Sequence, residues 1–480
     1  MPMQKALLIP FFLFLFFGGC FDLHVIESSS TANSDLLAQN EEEILSEQEE
    51  DEETETSKLV DILRGIVGIG GLLFITFLFS THKRRIDWNL VIIGLLLQLF
   101  FALLVLKVRL AKDIVDWISS LFISLLDFSM EGANFLFGSP MDEYVAFQIV
   151  PPILFFSALT SMLYYLNILQ WVVYGFAWVM KKTMRLTGAE SLAASANIFI
   201  GQVEAPLMVK PYINNMTRSE IMALLTGGMA TIAGGVMAAY IGFLGGEDPE
   251  SRQLFARHLL TASVMSAPAS LLVAKIMLPE TEKTSSTFFI SGETQGENFL
   301  DALASGAFNG LKIAAYVLAM VLVFIALVNG VNYILEDFIG ARFGLNEYIA
   351  NVTGGQFSGL KLEFIFGLIF SPLAWLMGVP YSDLLLVGQL LGEKTTLNEF
   401  IAYSSLAEMN EEGMLQSKSV IIATYALCGF ANFGAMGIQI GGIGSIAPER
   451  RPLIAKLTIY SLIGGTITCL MTATIAGMII

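Results

Sequence analysis

Long apolar stretches alternate with short polar connections over most of the chain. A transmembrane helix needs about 20 consecutive apolar residues to cross the hydrocarbon core of a bilayer. Stretches of that kind predict eight transmembrane helices, and the spacing of Thr217 and Glu220 predicts a capping box at the start of the fourth. The predicted spans cover residues 59–80, 88–106, 146–170, 219–244, 253–278, 311–335, 417–443 and 453–478.

Two further apolar segments are interrupted by polar residues and by helix breakers. The first, residues 196–220, contains Gln202 and Glu204 and is broken by a proline. The second, residues 360–403, is broken by a glycine and a proline and contains Glu399 near its end. Non-helical backbone at membrane depth is tolerated only where protein or a water-filled cavity covers it. Both segments therefore predict re-entrant hairpins, which enter and leave the membrane on the same face.

Basic clusters set the predicted orientation, because Lys and Arg concentrate in cytoplasmic loops. The clusters THKRR (81–85), KKTMR (181–185) and PERR (448–451) all fall on one face when the predicted spans are followed in order. With that face inside, the first hairpin opens to the cytoplasm, while the second hairpin and the C-terminus face outside. Charged and apolar residues alternate at helical spacing over 109–138, which predicts a helix lying in the membrane interface.

Composition supports an all-α polytopic membrane protein with an acidic segment ahead of it. The chain has 480 residues, of which 55% are hydrophobic and only 14% charged, with a mean hydropathy of +0.67. Much of the net charge of −17 comes from residues 41–58, a run typical of a solvated, disordered tail. The first 20 residues have the pattern of a secretory signal ending at Cys20, and a cleaved signal, an uncleaved anchor and a lipid-modified cysteine remain alternatives.

The candidate chemistry lies in the two hairpins, which occur in opposite orientations. Secondary transporters build a binding site near the membrane midplane from such inverted repeats of broken helices. Charges inside a membrane are costly, so Glu204 and Glu399 are the leading candidates, with Asn197 and Asn432 as weaker ones. The three histidines do not cluster, and no HExxH or GxSxG motif occurs, so the sequence predicts neither a histidine-built metal site nor an enzyme.

Three motifs occur in order along the membrane part: GQVEAP (201–206), GEKTTLNEFIAY (392–403) and CGFANFGAMG (428–437). They resemble the three signatures of concentrative nucleoside transporters, and the resemblance covers residues 59–480. It implies a homotrimer in which a fixed scaffold supports a moving transport domain that contains both hairpins. It also implies that substrate crosses by an elevator-type movement driven by a cation gradient.

Taken position by position, the resemblance implies where a nucleoside binds. The first hairpin would face the nucleobase with Val236 beside it, while Glu399 and Asn432 would bind the ribose hydroxyls and Phe430 would pack nearby. A carboxylate accepts hydrogen bonds from vicinal hydroxyls, and an amide both donates and accepts. The implied substrate-binding residues are Gln202, Val203, Glu204, Val236, Glu399, Phe430, Asn432 and Ala435.

The same resemblance implies a sodium site and shows two departures from the family pattern. Val203 stands where the family usually has threonine, and Ala435 stands where it usually has serine, so each position lacks a hydroxyl. The sodium ion would lie between the first hairpin and the fourth span, where amide, hydroxyl and carbonyl oxygens are the hard ligands that an alkali cation needs. The implied sodium ligands are Asn197, Ile200, Thr231 and Ile232.

The predicted function is symport of nucleosides into the cell with sodium as the coupling ion, and proton coupling through Glu204 or Glu399 is the alternative. The expected location is the inner (cytoplasmic) membrane, with the N-terminal tail and the C-terminus on the periplasmic side. The predicted regions are a signal-like segment (1–20), an acidic tail (21–58), first scaffold spans with interfacial helix and third span (59–186), first hairpin with spans four and five (187–278), a loop and sixth span with the trimer contact (279–341), and second hairpin with spans seven and eight (342–480).

Overall fold

The computed structural model describes residues 58–138, 145–246, 248–284 and 297–480. The predicted signal-like segment, and the predicted acidic tail up to residue 57, lie outside these residues. Within the described ranges every regular element is a helix and no strand occurs, which confirms the all-α fold. Seven helices of the described part are long and apolar enough to cross a membrane, as a multi-pass membrane protein requires.

Five long helices precede the first hairpin. The third predicted span, residues 146–170, ends earlier than expected, because its helix stops at Tyr165 and Asn167 takes a left-handed backbone conformation with φ of 60°. A separate helix follows, which the hydropathy pattern did not separate from its predecessor because both are apolar where they join. The five helices are α1 Lys58–Leu78, α2 Trp88–Lys107, α3 Arg109–Phe137, α4 Val145–Tyr165 and α5 Ile168–Met184.

The first hairpin and the fourth span are built from short helices. Capping boxes open two of them at Thr187 and Thr217, and the second of these confirms the predicted one. The Thr187 hydroxyl also donates to Glu220 Oε1 over 2.7 Å, which joins the two ends of the hairpin. The predicted fourth span is not one helix, because residues 231–233 interrupt it. The elements are α6 Gly188–Ala196, α7 Ala205–Met208, α8 Lys210–Ile213, α9 Arg218–Ala230, α10 Gly234–Gly245 and α11 Pro249–Met277.

The second half repeats this arrangement after a long helix. The prediction of a continuous seventh span was wrong, because residues 428–432 divide it into helices of 11 and 14 residues. Hydropathy windows average over such a break, since the breaking residues are themselves mostly small and apolar. The elements are α12 Phe299–Tyr333, a π-helix Ile334–Gly340, α13 Ala341–Phe343, α14 Leu345–Val352, α15 Leu362–Leu376, α16 Leu384–Thr396, α17 Glu399–Glu411, α18 Ser417–Leu427, α19 Phe433–Ile446 and α20 Arg451–Ile479.

The helices differ sharply in how much of their surface the chain itself covers. Of the 18 most apolar consecutive residues, 89% are buried in α11 and 94% in the α9–α10 pair. In the long helical stretch that begins with α12, only 11% are buried. The exposed face of α12 carries large apolar residues such as Phe308, Leu322 and Leu327. Such a face needs lipid or another protein chain to cover it.

Two glycines bring α12 unusually close to α4. A Cβ atom on Gly306 would lie 2.6 Å from the Cβ of Ser161, and one on Gly310 would lie 2.9 Å from the Cβ of Ser157. Small residues at such spacing let the backbones of membrane helices approach and pack closely. This contact joins the helices of the predicted third and sixth spans, at a point before residue 311, because α12 begins at Phe299 and so earlier than predicted.

Candidate functional site

A cavity of about 270 Å³ lies where the tips of both hairpins meet the two helix breaks. Its size is close to the lower end, about 300 Å³, of the range usual for small-molecule pockets. The structure brings together every residue that the resemblance assigned to substrate. The cavity is lined by Gln202, Val203, Glu204, Val236, Glu399, Phe430, Asn432 and Ala435.

Glu399 is the first residue of α17 and carries the most strongly bonded carboxylate of the cavity. Its position follows from local sequence, since the side chain of Asn398 caps this helix by accepting from the backbone N–H of Ile401 over 3.0 Å. Glu399 Oε1 accepts from the Tyr240 hydroxyl at 3.1 Å, and Oε2 accepts from Asn432 Nδ2 at 2.6 Å. A carboxylate at a helix N-terminus is further stabilised by the helix dipole. The carboxylate is therefore held in one orientation before any ligand arrives.

Asn432 caps another helix of the second half, α19, in the same way. Its Oδ1 accepts from the backbone N–H of Ala435 at 2.7 Å, while its Nδ2 donates to Glu399. One amide hydrogen and one Oδ1 lone pair remain available, as do further lone pairs of the carboxylate. The pair therefore presents fixed donors and acceptors on one side of the cavity.

The tip of the first hairpin supplies less strongly bonded groups. Between α6 and α7 the chain forms successive turns, and Gln202 is buried there with an Oε1 atom that has no hydrogen-bond partner among the described residues. The Glu204 carboxylate also lines the cavity, only partly buried. Val203 packs against α19, because a Cβ atom on Gly442 would lie 2.8 Å from Val203 Cγ1. These polar groups are open to a ligand that satisfies them.

Two of the residues assigned to sodium lie at the C-terminal end of α9. Asn197 is buried, and neither of its amide atoms has a hydrogen-bond partner within the described part of the chain. A Cβ atom on Gly227 would lie 3.1 Å from Asn197 Nδ2, so this amide lies against the last turn of α9. Thr231 ends that helix, and its hydroxyl donates to the carbonyl of Gly227 over 2.9 Å. Unsatisfied buried amide atoms are rare and call for an explanation.

The other two assigned residues, Ile200 and Ile232, are held near each other by the backbone. The N–H of Gly234 donates to the carbonyl of Phe199 over 3.1 Å, which joins the hairpin tip to the break between α9 and α10. Both isoleucines are buried, so their carbonyl groups are shielded from bulk water.

Sequence reasoning missed several residues that α4, α10 and α12 contribute to the cavity or bond to its side chains. Tyr240 in α10 bonds Glu399, and Lys312 and Tyr316 of α12 line the cavity together with Ser157 and Thr160 of α4. A tyrosine hydroxyl in an apolar span needs a partner, which was a usable signal for Tyr240. Lys312 lies at the start of the predicted sixth span, and no role was assigned to it from the sequence.

A buried ionic network closes the base of the first hairpin. Lys275 near the end of α11 forms an ion pair with Glu190 of α6 at 2.7 Å, and it donates to the Ser219 hydroxyl at 3.1 Å. Both charged side chains are less than 10% exposed, at 8% and 2%. Removing one partner of a buried ion pair is strongly destabilising. The hairpin tip is therefore supported from a rigid base.

Comparison with known sequence families covers nearly all of the described chain. A family described as Na+ dependent nucleoside transporter N-terminus matches residues 67–140, and its C-terminal counterpart matches residues 258–477. Between them, residues 146–247 match a family described as Gate, nucleoside recognition.

Individual proteins and solved structures agree with these matches. The mouse protein Solute carrier family 28 member 3 is 40% identical over 436 residues, which are 87% of this chain and 59% of the mouse protein. The chain thus spans only 59% of the length of that relative. The Bacillus subtilis protein Uncharacterized transporter YutK is 40% identical over 428 residues, which are 88% of this chain and 100% of that protein. A solved structure of CNTnw in an inward-facing substrate-bound state has a TM-score of 0.77 and 34% identity, covering 87% of this chain and 98% of that one.

Proposed function

Because the chain belongs to the Na+ dependent nucleoside transporter family, we propose that it carries nucleosides into the cell by symport with sodium. Its family is one of transporters, not of enzymes. The observation that supports the substrate most directly is the cavity between the two hairpins. There the paired Glu399 and Asn432 face the open polar groups of Gln202 and Glu204 within one space of about 270 Å³.

Glu399 and Asn432 bind the ribose in this proposal. A ribose offers two neighbouring hydroxyl groups, and a carboxylate with an adjacent amide accepts from both without a change of its own geometry. Because Tyr240 and the cap of α19 already orient the pair, little conformational entropy is lost when the sugar binds.

Gln202 and Glu204 read the nucleobase. A base edge carries both donors and acceptors, and Gln202 offers both kinds of group, with its Oε1 still unpartnered in the described structure. Val236 lines the same part of the cavity and supplies an apolar surface for the ring. The absence of a hydroxyl at Val203 removes one hydrogen bond that the family pattern would provide.

The residues present fit a sodium ion. The open Oδ1 of Asn197, the hydroxyl of Thr231 and the carbonyls of Ile200 and Ile232 form a neutral set of hard oxygen ligands close to a helix C-terminus. Sodium bound at this site would couple its inward concentration gradient to the uptake of substrate. The chain's own contribution is to join the first hairpin to the break after α9, through the hydrogen bond from the N–H of Gly234 to the carbonyl of Phe199.

Alternating access would follow from movement of the hairpins against a fixed part, in an elevator-type mechanism. In this proposal residues 187–278 and 342–480 form the transport domain, and residues 59–186 and 279–341 form the scaffold. The close contact of α4 with α12 supports the scaffold, since it joins its two separate stretches. Packing of α20 against α9 and α11 supports the transport domain, since it joins the two hairpin halves.

Contacts across the proposed boundary are polar at the start of α11. Arg257 pairs with Asp116 of α3, and Arg252 pairs with Asp127 of the same helix at 3.1 Å. Partly exposed ion pairs of this kind contribute little to stability and can exchange during a movement. The exposed apolar face of α12 supports a homotrimer in which this scaffold helix packs against its copies.

The proposed location is the inner membrane, with the N-terminal tail and the C-terminus outside the cytoplasm. A cysteine placed at Ser57, just before the described residues, should react with an impermeant thiol reagent in intact spheroplasts. Labelling only after lysis would show the opposite orientation.

Uptake of radiolabelled uridine and adenosine into proteoliposomes tests the function. We expect accumulation when a sodium gradient is imposed alone, and nearly constant rates across moderate pH, because the proposed ion ligands are neutral. The membrane potential is held fixed, and choline replaces sodium in the control. Uptake that persists in choline and rises steeply as external pH falls would instead establish proton coupling through Glu204 or Glu399. No uptake of any nucleoside under either gradient would contradict the substrate class.

A further inference from the structure

Lys394 is a buried lysine of the second hairpin that the proposed transport does not use. It lies in the last turn of α16 and is only 1% exposed. Its Nζ donates to the backbone carbonyl of Ala426 over 2.8 Å, and no carboxylate among the described residues forms an ion pair with it. A buried ammonium group without an ion-pair partner needs a source of negative potential, and the Glu399 carboxylate attracts it only at longer range.

The C-terminal end of α18 is the source of negative potential that Lys394 contacts directly. Ala426 is the next-to-last residue of this helix, which ends where residues 428–432 break the chain. The last carbonyl groups of a helix have no partner within the helix, and together they carry about half a negative charge. The ammonium group of Lys394 therefore binds a helix end as a free cation would.

The first half of the inverted repeat contains the corresponding place. There the first hairpin arm α6 packs against α9, as α16 packs against α18, and α9 likewise ends at a break. The residue at the end of α6 that reaches the last turn of α9 is Asn197, beside Gly227. It is a short neutral amide with both polar atoms unpartnered in the described structure, whereas Lys394 is a long cation that fills its place itself.

We propose that Lys394 is a tethered cation, which takes in the second half the place that sodium takes in the first half. The proposal rests on the sodium coupling proposed above, and it limits each chain to one sodium ion at these two sites. The positive charge beside the second hairpin cannot dissociate, so only the first half responds to the sodium gradient.

The test uses purified full-length protein and measures the unfolding temperature in NaCl and in choline chloride at equal ionic strength. We expect sodium to raise the unfolding temperature of the wild-type protein and to lose this effect in Asn197→Leu. Adding Lys394→Asn to Asn197→Leu should restore a rise that depends on sodium, because an amide and an open helix end now replace the ammonium group. Lys394→Arg added to Asn197→Leu is the matched control that keeps the charge, and it should not restore the rise.

The single variant Lys394→Asn provides a second readout. Its uptake should depend on sodium with a Hill coefficient that rises from about 1 towards 2, the number of sites then present. Folding in sodium but not in choline would also support the proposal. No sodium effect in the double variant, or no folding of Lys394→Asn in either salt, would overturn it. A wild-type protein without any sodium effect, or an unchanged effect in Asn197→Leu, would instead contradict the proposed sodium site.

Discussion

The two halves of the inverted repeat share one architecture but differ in how their polar groups are bonded. In the second half, Glu399 and Asn432 bond each other and lie at helix N-termini that fix both side chains. In the first half, Asn197 and Gln202 lie in turns and keep atoms that have no partner in the described structure. The polar groups of the second half are therefore oriented without a ligand, whereas those of the first half have atoms that a ligand can still bond.

This difference follows from where the helices begin. The second hairpin tip is tight, since only Leu397 and Asn398 separate α16 from α17, and a new helix starts at Glu399 itself. The first tip has residues 197–204 between α6 and α7, and its polar residues precede the new helix. Ordering a longer turn costs more conformational entropy, which ligand contacts must offset. We therefore expect substitutions in the second half to abolish binding and those in the first half to shift ligand requirements.

The largest effect is expected for Glu399→Ala, with a similar outcome for Asn432→Ala. Removing the carboxylate leaves the Tyr240 hydroxyl and the Asn432 amide unpaired in a dry site, at about 1–3 kcal/mol for each group. The two groups together cost about 2–6 kcal/mol, and since 1.4 kcal/mol corresponds to about a tenfold change, uridine uptake should fall at least about 30-fold. Glu393→Gln is a matched control, because Glu393 is a buried carboxylate of the same hairpin that bonds Gln389. Wild-type uptake by Glu399→Ala at normal membrane expression would remove Glu399 from the site.

A smaller loss is expected for Tyr240→Phe, which tests how far the organisation of the second half depends on α10. The ring should keep its stacking on Tyr403 at 4.2 Å, while Glu399 loses one donor. A hydrogen bond to a charged group contributes about 1.5–3 kcal/mol, so apparent uridine affinity should fall about 10-fold to 100-fold. Tyr403→Phe serves as the control, because its hydroxyl donates to the carbonyl of Thr424 away from the cavity. Equal losses in both variants would show that the effect is general packing.

In the first half, Thr231→Ala should change the ion requirement more than the substrate affinity. Loss of one neutral ligand costs about 0.5–1.5 kcal/mol, so the sodium concentration for half-maximal uptake should rise about 2-fold to 10-fold. Apparent uridine affinity at saturating sodium should change less. Thr424→Ala is the matched substitution in the second half, where the hydroxyl donates to the carbonyl of Val420 one turn earlier. An equal effect of Thr231→Ala on sodium and on uridine would exclude an ion ligand at this position.

The smallest effect is a gain, expected for Ala435→Ser. Ala435 lines the cavity beside Asn432, and the added hydroxyl restores the group that the family usually has there. One neutral hydrogen bond to the ribose should raise uridine affinity about 2-fold to 10-fold. Competition by uridine, 2′-deoxyuridine and 3′-deoxyuridine identifies the contact. The deoxynucleoside that lacks the contacted hydroxyl should gain less affinity from the substitution than uridine does. An equal gain for all three would show that the hydroxyl does not touch the sugar.

Much of the fold was predictable because hydropathy and charge report directly on a membrane. Long apolar stretches, the two interrupted segments and the capping box at Thr217 all correspond to described helices or breaks. The interruptions at residues 231–233 and 428–432 were not predicted. Apolar residues make up most of both breaks, so hydropathy does not mark them. Their backbone is satisfied by partners distant in sequence, such as Thr231, whose carbonyl accepts from the N–H of Phe430.

The site was predictable where a motif or a charge marked it. The structure places all eight assigned substrate residues around one cavity, while their contact with a nucleoside remains a prediction. Tyr240 and Tyr316 were missed, because the sequence does not indicate which residue the hydroxyl of a tyrosine in an apolar helix contacts. Lys394 lay in a motif but had no assigned role, since only the packing of α16 against α18 shows what its ammonium group binds.

The close contact of α4 with α12 has a consequence for biosynthesis. About 145 residues separate Ser161 from its neighbour Gly306. At about 5–20 residues per second, the ribosome needs roughly 7–30 seconds to make that stretch. During this interval α4 lies in the membrane without its partner α12. Its exposed face then carries the serines that later contact the two glycines. The yield of correctly assembled protein therefore depends on this face of α4 remaining unpaired until α12 is made, and not only on the stability of the finished chain.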